Sequence, residues 1–196
     1  MKQTPISLAS IATLAAVFLP SVAFAHPGHL GPHTLLSGFE HPITGFDHIL
    51  AMVAVGLWAS QRGGRALWLW PSAFVAIMLA GGFLGMEGIA LPFVEPGIAA
   101  SLLVLGLLVA SSTMLPFWAG ALIVGGFALF HGNAHGLEAP ANGASLLYAL
   151  GFAASTAALH CTGLTLGLSA RGADWQKFVR MGGALTAGVG GILLFA

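Results

Sequence analysis

The chain has 196 residues, 57% hydrophobic and 6% charged, with a mean hydropathy of +0.92. Soluble domains carry about 25% charged residues, so this is an integral membrane protein with no room for a sizeable soluble domain. Six basic and six acidic residues balance, which leaves no basic patch for nucleic acid, and the single Cys161 excludes an intrachain disulfide or a multi-cysteine metal site within one chain.

Residues 1–25 read as a secretory signal. Lys2 supplies the positive start, Ile6 to Leu19 the apolar core, and Ala23-Phe24-Ala25 a small-x-small cleavage site. The competing reading, an uncleaved first helix, suits the short core and Pro20 less well. Cleavage after Ala25 makes His26 the new N-terminus and places it on the outer side of the membrane. Residues 26–196 then form one membrane domain.

Six apolar stretches follow, each near the ~20 residues a span needs. They run from about Pro42 to Ser60, Ala66 to Met86, Pro92 to Ser111, Pro116 to Phe130, Gly143 to Ser169, and Trp175 to Phe195. The expected fold is an all-α, six-helix transmembrane bundle behind a cleaved leader. Gly81/Gly85, Gly163/Gly167 and Ala187/Gly191 have the small-x-x-x-small spacing that lets helix backbones approach closely. That spacing leaves open whether the contacts lie within one chain or in a homo-oligomer. Trp68, Trp70 and Trp118 read as interfacial anchors, and Cys161 as a small buried residue.

With the processed N-terminus outside, loop counting puts Arg62, Arg65, Arg171, Lys177 and Arg180 inside. Those are all the Lys and Arg after the leader, as the positive-inside rule asks. The same count puts seven of the eight histidines and five of the six acids at the outer side. His26, His29 and His33 lie in the outer N-terminal segment. Glu40, His41, Asp47 and His48 lie at the outer end of the first span. Glu87 and Glu95 flank the second and third spans, and His131, His135 and Glu138 end the fourth.

Imidazoles and carboxylates clustered without a basic residue form a binding field for a divalent transition metal such as Ni²⁺, Co²⁺, Cu²⁺ or Zn²⁺. An ionisable group inside a span costs roughly 2.5–3.5 kcal/mol on insertion scales, so those retained there are candidates for use. Pro42 suits the first turn of a helix. That makes His41 a cap-level residue, with His48 seven residues on along the same face. His131 and His135 are spaced i, i+4, a pair that can hold one metal from a single helix, and Glu138 joins their face if the helix continues.

Plainer readings stand beside each of these. The N-terminal histidines could be ordinary tail residues, and Glu87 and Glu95 solvated caps. Asp47 could bond a neighbouring helix. His160, deep in the fifth span, could be a packing residue bonded to Thr156 one turn back; its depth favours a part in inward transfer. The metal core set is His41, Asp47, His48, His131, His135 and Glu138. His26, His29, His33, Glu87, Glu95 and His160 are auxiliaries.

The pattern His41-Pro-x-x-Gly-x-Asp47-His48 in a first span, followed by Phe130-His131-Gly-x-x-His135-Gly in a fourth, resembles the HupE/UreJ proteins. The resemblance covers the whole chain. It implies a bacterial inner-membrane permease with a periplasmic N-terminus. It also implies Ni²⁺, in some members Co²⁺, as the transported substrate for hydrogenase or urease, with no organic cofactor. Zn²⁺ is a further candidate cargo on ligand chemistry. The bilayer and the ion are the expected partners. The reading is a permease and not an enzyme: outer groups capture the ion, the mouth strips its water, and ligand exchange carries it inward. Protons compete with metal for imidazole, so uptake should fall as pH drops through about 6.5.

Two rivals differ in kind. An intramembrane zinc hydrolase would use the same ligands to activate water, but no nucleophile or general base stands apart from them. A di-haem cytochrome would need histidines at haem-spanning positions on facing helices.

Overall fold

The computed structural model describes residues 34–139, 145–169 and 172–196, and every described element is an α-helix. The seven are α1 (Leu35–Thr44), α2 (Phe46–Arg62), α3 (Ala66–Met86), α4 (Val94–Ser111), α5 (Phe117–Glu138), α6 (Ser145–Ser169) and α7 (Ala173–Phe195). The leader with its cleavage site, His26, His29 and His33, and also Arg171, lie outside the described residues. Helices α3 to α7 are each long and apolar enough to cross a membrane, and α1 with α2 makes a sixth span if the bent pair is counted as one.

The expected continuous first span is corrected here. Its chain bends by 84° between α1 and α2. Thr34 starts α1 with a capping box: its hydroxyl accepts from the Ser37 N–H, and the Ser37 hydroxyl accepts from the Thr34 N–H. Pro42 therefore sits near the end of α1, not in the first turn of a span. Gly45 is the extended break. Helix α2 then begins with Asp47 in its first turn, where the macrodipole favours an anion. It ends at Gly63, whose φ of 67° a side chain would resist.

The main pairings are α3 with α5, α4 with α7, and α6 with both α1 and α2. Helices α3 and α5 meet backbone to backbone. A Cβ on Gly132 would fall on the Met78 carbonyl, and one on Gly136 would fall on that of Gly82. Gly81, Gly85 and Gly163 serve as contacts, as their spacing suggests, but Gly191 faces open space and Gly190 takes its place against α4.

Two tryptophans fill the core toward one end of the bundle. Trp58 and Trp70 are fully buried with ring centroids 4.5 Å apart. Trp70 is thus no interfacial anchor, whereas Trp68 and Trp118 are exposed as anchors should be. Cys161 is exposed rather than buried.

The two ends of the bundle differ. At one, Arg62 donates to the Leu115 carbonyl (3.1 Å), Gln61 to that of Val109 (3.0 Å), and Arg180 to that of Ala110 (2.7 Å). Arg62 and Arg180 thus converge on the α4–α5 connection. The histidines lie toward the other end.

Candidate metal-binding mouth

Four imidazoles from three helices form a contact series. His41 on α1 is buried, and its Nε2 lies 3.1 Å from Nδ1 of His135 on α5. Glu138, one turn along α5, brings Oε2 to 3.7 Å from the same nitrogen. One ligand atom from each of His41, His135 and Glu138 fits within a 4.8 Å group. Ligand atoms on one tetrahedral ion stand about 3–4 Å apart, so a small closure would bring all three onto one cation. Helix α5 does continue past Phe130 to Glu138, so the face shared by His131, His135 and Glu138 exists.

His48 and His131 form the next layer. Their rings are 5.4 Å apart, and His48 is 5.3 Å from His135. His131 Nδ1 lies 2.9 Å from the Phe127 carbonyl. A carbonyl can only accept, so Nδ1 carries the proton and Nε2 presents its lone pair. That fixing of a tautomer by a backbone carbonyl is the usual support for a metal-binding histidine. His131 Nε2 is buried with no hydrogen-bond partner, as is His48 Nδ1. Nε2 of His48 makes only a long 3.4 Å contact to the Thr156 hydroxyl. Buried imidazoles with unpartnered nitrogens offer donors that a divalent transition-metal cation would satisfy.

His41 and His48 therefore meet for a different reason from the one expected. They converge through the bend at Gly45, with His41 approaching from α1, and not as two turns of one continuous helix.

The remaining sequence candidates fall elsewhere. Asp47 is half-buried, and its Oδ1 accepts from the His48 N–H at 2.8 Å. It caps its own helix and stands outside the three-residue group. Glu87 and Glu95 are exposed and also outside it. His160 is fully buried, and neither ring nitrogen has a hydrogen-bond partner. The expected bond to Thr156 is not made; that hydroxyl instead contacts the Met78 sulfur at 3.8 Å and His48.

Three residues escaped the sequence reading. Phe152 on α6 walls the mouth, its ring 4.7 Å from His135, 5.2 Å from His48 and 5.8 Å from His41. Asn133 is fully buried between the two motif histidines. Its amide donates to the Ile89 carbonyl (2.8 Å), and its oxygen accepts from the Leu91 N–H (2.9 Å), pinning the α3–α4 connection. Phe74 contacts both His131 and His160. A polar Asn133 inside an apolar helix was a readable signal; Phe152 and Phe74 in apolar runs were not.

A multi-pass membrane protein with a histidine-lined mouth is the class that this fold and site define. A family model described as HupE / UreJ protein matches residues 14–193. The Protein HupE of Rhizobium leguminosarum bv. viciae is 50% identical over 182 residues, covering 93% of this chain and 95% of that relative. The chain belongs to the HupE/UreJ family. No solved structure matches it.

Proposed function

We propose that the protein is a permease carrying a divalent transition metal, Ni²⁺ or Co²⁺, from periplasm to cytoplasm across the bacterial inner membrane. It would thereby supply metal to hydrogenase or urease. The family membership supports the accessory role and the cargo. The observation that carries the site is the meeting of His41, His135 and Glu138 from two separate helices within one ligand-sized group. In this reading the leader is residues 1–25, and residues 26–196 form a six-span domain with α1 and α2 as one broken span. The histidine end faces outward, and the basic end faces the cytoplasm, as the positive-inside rule requires.

His41, His135 and Glu138 take the hydrated ion, and His48 and His131 replace its remaining water. Mixed imidazole and carboxylate ligation holds an ion firmly enough to admit it and weakly enough to release it, which suits passage better than retained catalytic metal. Asp47 positions His48 and adds negative charge at the mouth. Glu87, Glu95, His26, His29 and His33 act as outlying capture groups.

The test is radiolabelled Ni²⁺ uptake into proteoliposomes by wild type, Asp47→Asn and His48→Ala. Both variants should lose most of the uptake. Equal uptake by all three at equal protein level would overturn the permease site. Competition by Co²⁺ and Zn²⁺ in the same assay would rank the cargo.

A further inference from the structure

The polar interior does not stop at the mouth. Along α6, Phe152, Thr156 and His160 follow one another at four-residue spacing and so share a face, each step about 6 Å deeper. Phe152 walls the mouth, and Thr156 lies against His48 Nε2. His160 comes next, wholly buried, with both ring nitrogens unpartnered. A buried polar atom without a partner is destabilising, and few survive in native proteins without a reason. Here two sit on one ring.

The surroundings of His160 suit a soft cation. Its ring packs edge-on against Phe74, centroids 5.1 Å apart, and the same Phe74 ring lies 5.8 Å from His131, whose Nε2 is also unpartnered. Met78, one turn from Phe74 on α3, turns its sulfur to the Thr156 hydroxyl. Met78 also lines a recess shared with His135, Tyr148 and Phe152. Imidazole nitrogen and thioether sulfur are donors that late first-row divalent metals accept. One further turn along α3 from Phe74 comes Trp70, packed at a tilt against Trp58. Among the described residues, His160 is thus the deepest imidazole before the tryptophan plug.

We propose that His160 is the ligand of a second, inner station for a divalent transition-metal cation, reached from the His48–His131 layer past Thr156 and Met78. The station rests on the permease reading for its cargo. It would hold the ion after the mouth releases it and before the aromatic plug admits it.

The test separates binding from transport, using Co²⁺ as a spectroscopic probe on the purified full-length protein. A His41→Ala/His135→Ala background removes the mouth. That protein should still bind Co²⁺ with visible ligand-field absorption, and adding His160→Gln should weaken the binding by at least about tenfold. An unchanged spectrum and affinity would overturn the station. In the same background His160→Leu gives a second reading: it removes two unpartnered polar atoms, so the thermal midpoint should equal or exceed that of the background protein while the Co²⁺ signal is lost. A lowered midpoint with Co²⁺ binding retained would make His160 a packing residue and overturn the proposal. Proteoliposomes complete the separation. His160→Gln that moves Ni²⁺ no worse than wild type would overturn the station and leave the permease standing. His160-dependent Co²⁺ binding in a protein that moves no Ni²⁺ would remove the permease reading and leave the inner site.

Discussion

The basic end and the histidine end of this bundle solve the same problem in opposite ways. At the basic end four long side chains reach carbonyls at the facing ends of α4 and α5 or between them: Arg62 to Leu115, Trp58 to Thr113, Trp70 to Phe117, Arg180 to Ala110, and Gln61 Oε1 is left buried without a partner there. Those bonds tie α2, α3 and α7 to the ends of α4 and α5. At the histidine end, buried nitrogens of His48, His131 and His160 are left without partners. One end spends its polar groups on holding helices together. The other keeps them in reserve at a cost in stability, which is the expected signature of a binding site within a membrane. The molecule is thereby a fixed base and an unsatisfied mouth on one set of helices.

The sharpest way to break this contrast is at the base. Trp58→Ala empties a fully buried site and removes the bond to Thr113. It should cost about 3–5 kcal/mol of stability, seen as a lower thermal midpoint, while Co²⁺ affinity at the mouth stays unchanged. A loss of affinity equal to that of a mouth variant would dissolve the distinction between the ends.

At the mouth the expectation reverses. His135→Ala removes the nitrogen that His41 and Glu138 share. Metal affinity and Ni²⁺ uptake should fall about 10- to 100-fold, with the thermal midpoint little altered. Retained uptake alongside a large drop in midpoint would recast His135 as structural.

Acid offers a third discrimination. Protonated imidazole donates and cannot bind metal, so uptake should fall as external pH is lowered. Uptake measured against external pH, with internal pH clamped, checks this, and uptake flat across the range would count against imidazole ligation of the ion.

The smallest effect belongs to Arg62→Gln, which gives up one bond to the Leu115 carbonyl. About 1 kcal/mol or less of stability should be lost, and transport kinetics should not change. A transport defect there would mean that the base takes part in gating.

The sequence showed some of this and hid the rest for physical reasons. Helix α3 was legible to the residue, because Ala66 to Met86 is uninterrupted apolar chain between a double-glycine turn and Glu87. Helix α5 reads short, because His131, Asn133, His135 and Glu138 depress its hydropathy, although burial and partners from other helices make the polar extension helical. The break at Gly45 was invisible. Glycine is common in this chain, and nothing local distinguishes one that bends a span by 84° from one that packs it. Both halves of the mouth were readable as motifs. That His41 reaches His135 from a separate helix, and that Thr156 turns away from His160, are facts of tertiary packing. Trp70 misled for a similar reason: its place near a span end matches an anchor, and only the facing Trp58 makes it core.

The bend at Gly45 has a mechanical corollary. Although α1 is joined covalently to α2, its close packing is with α6: Gly38 lies against the Tyr148 backbone, and Gly151 against that of Leu35. The segment behaves as a boom, pivoted at one helix and resting on another. His41 sits about one turn from the pivot on a segment seated against α6, so the 3.1 Å span from His41 to His135 is in effect a gauge of the separation between α6 and α5. A slight parting of those two helices would separate His41 from His135 without unwinding a single turn.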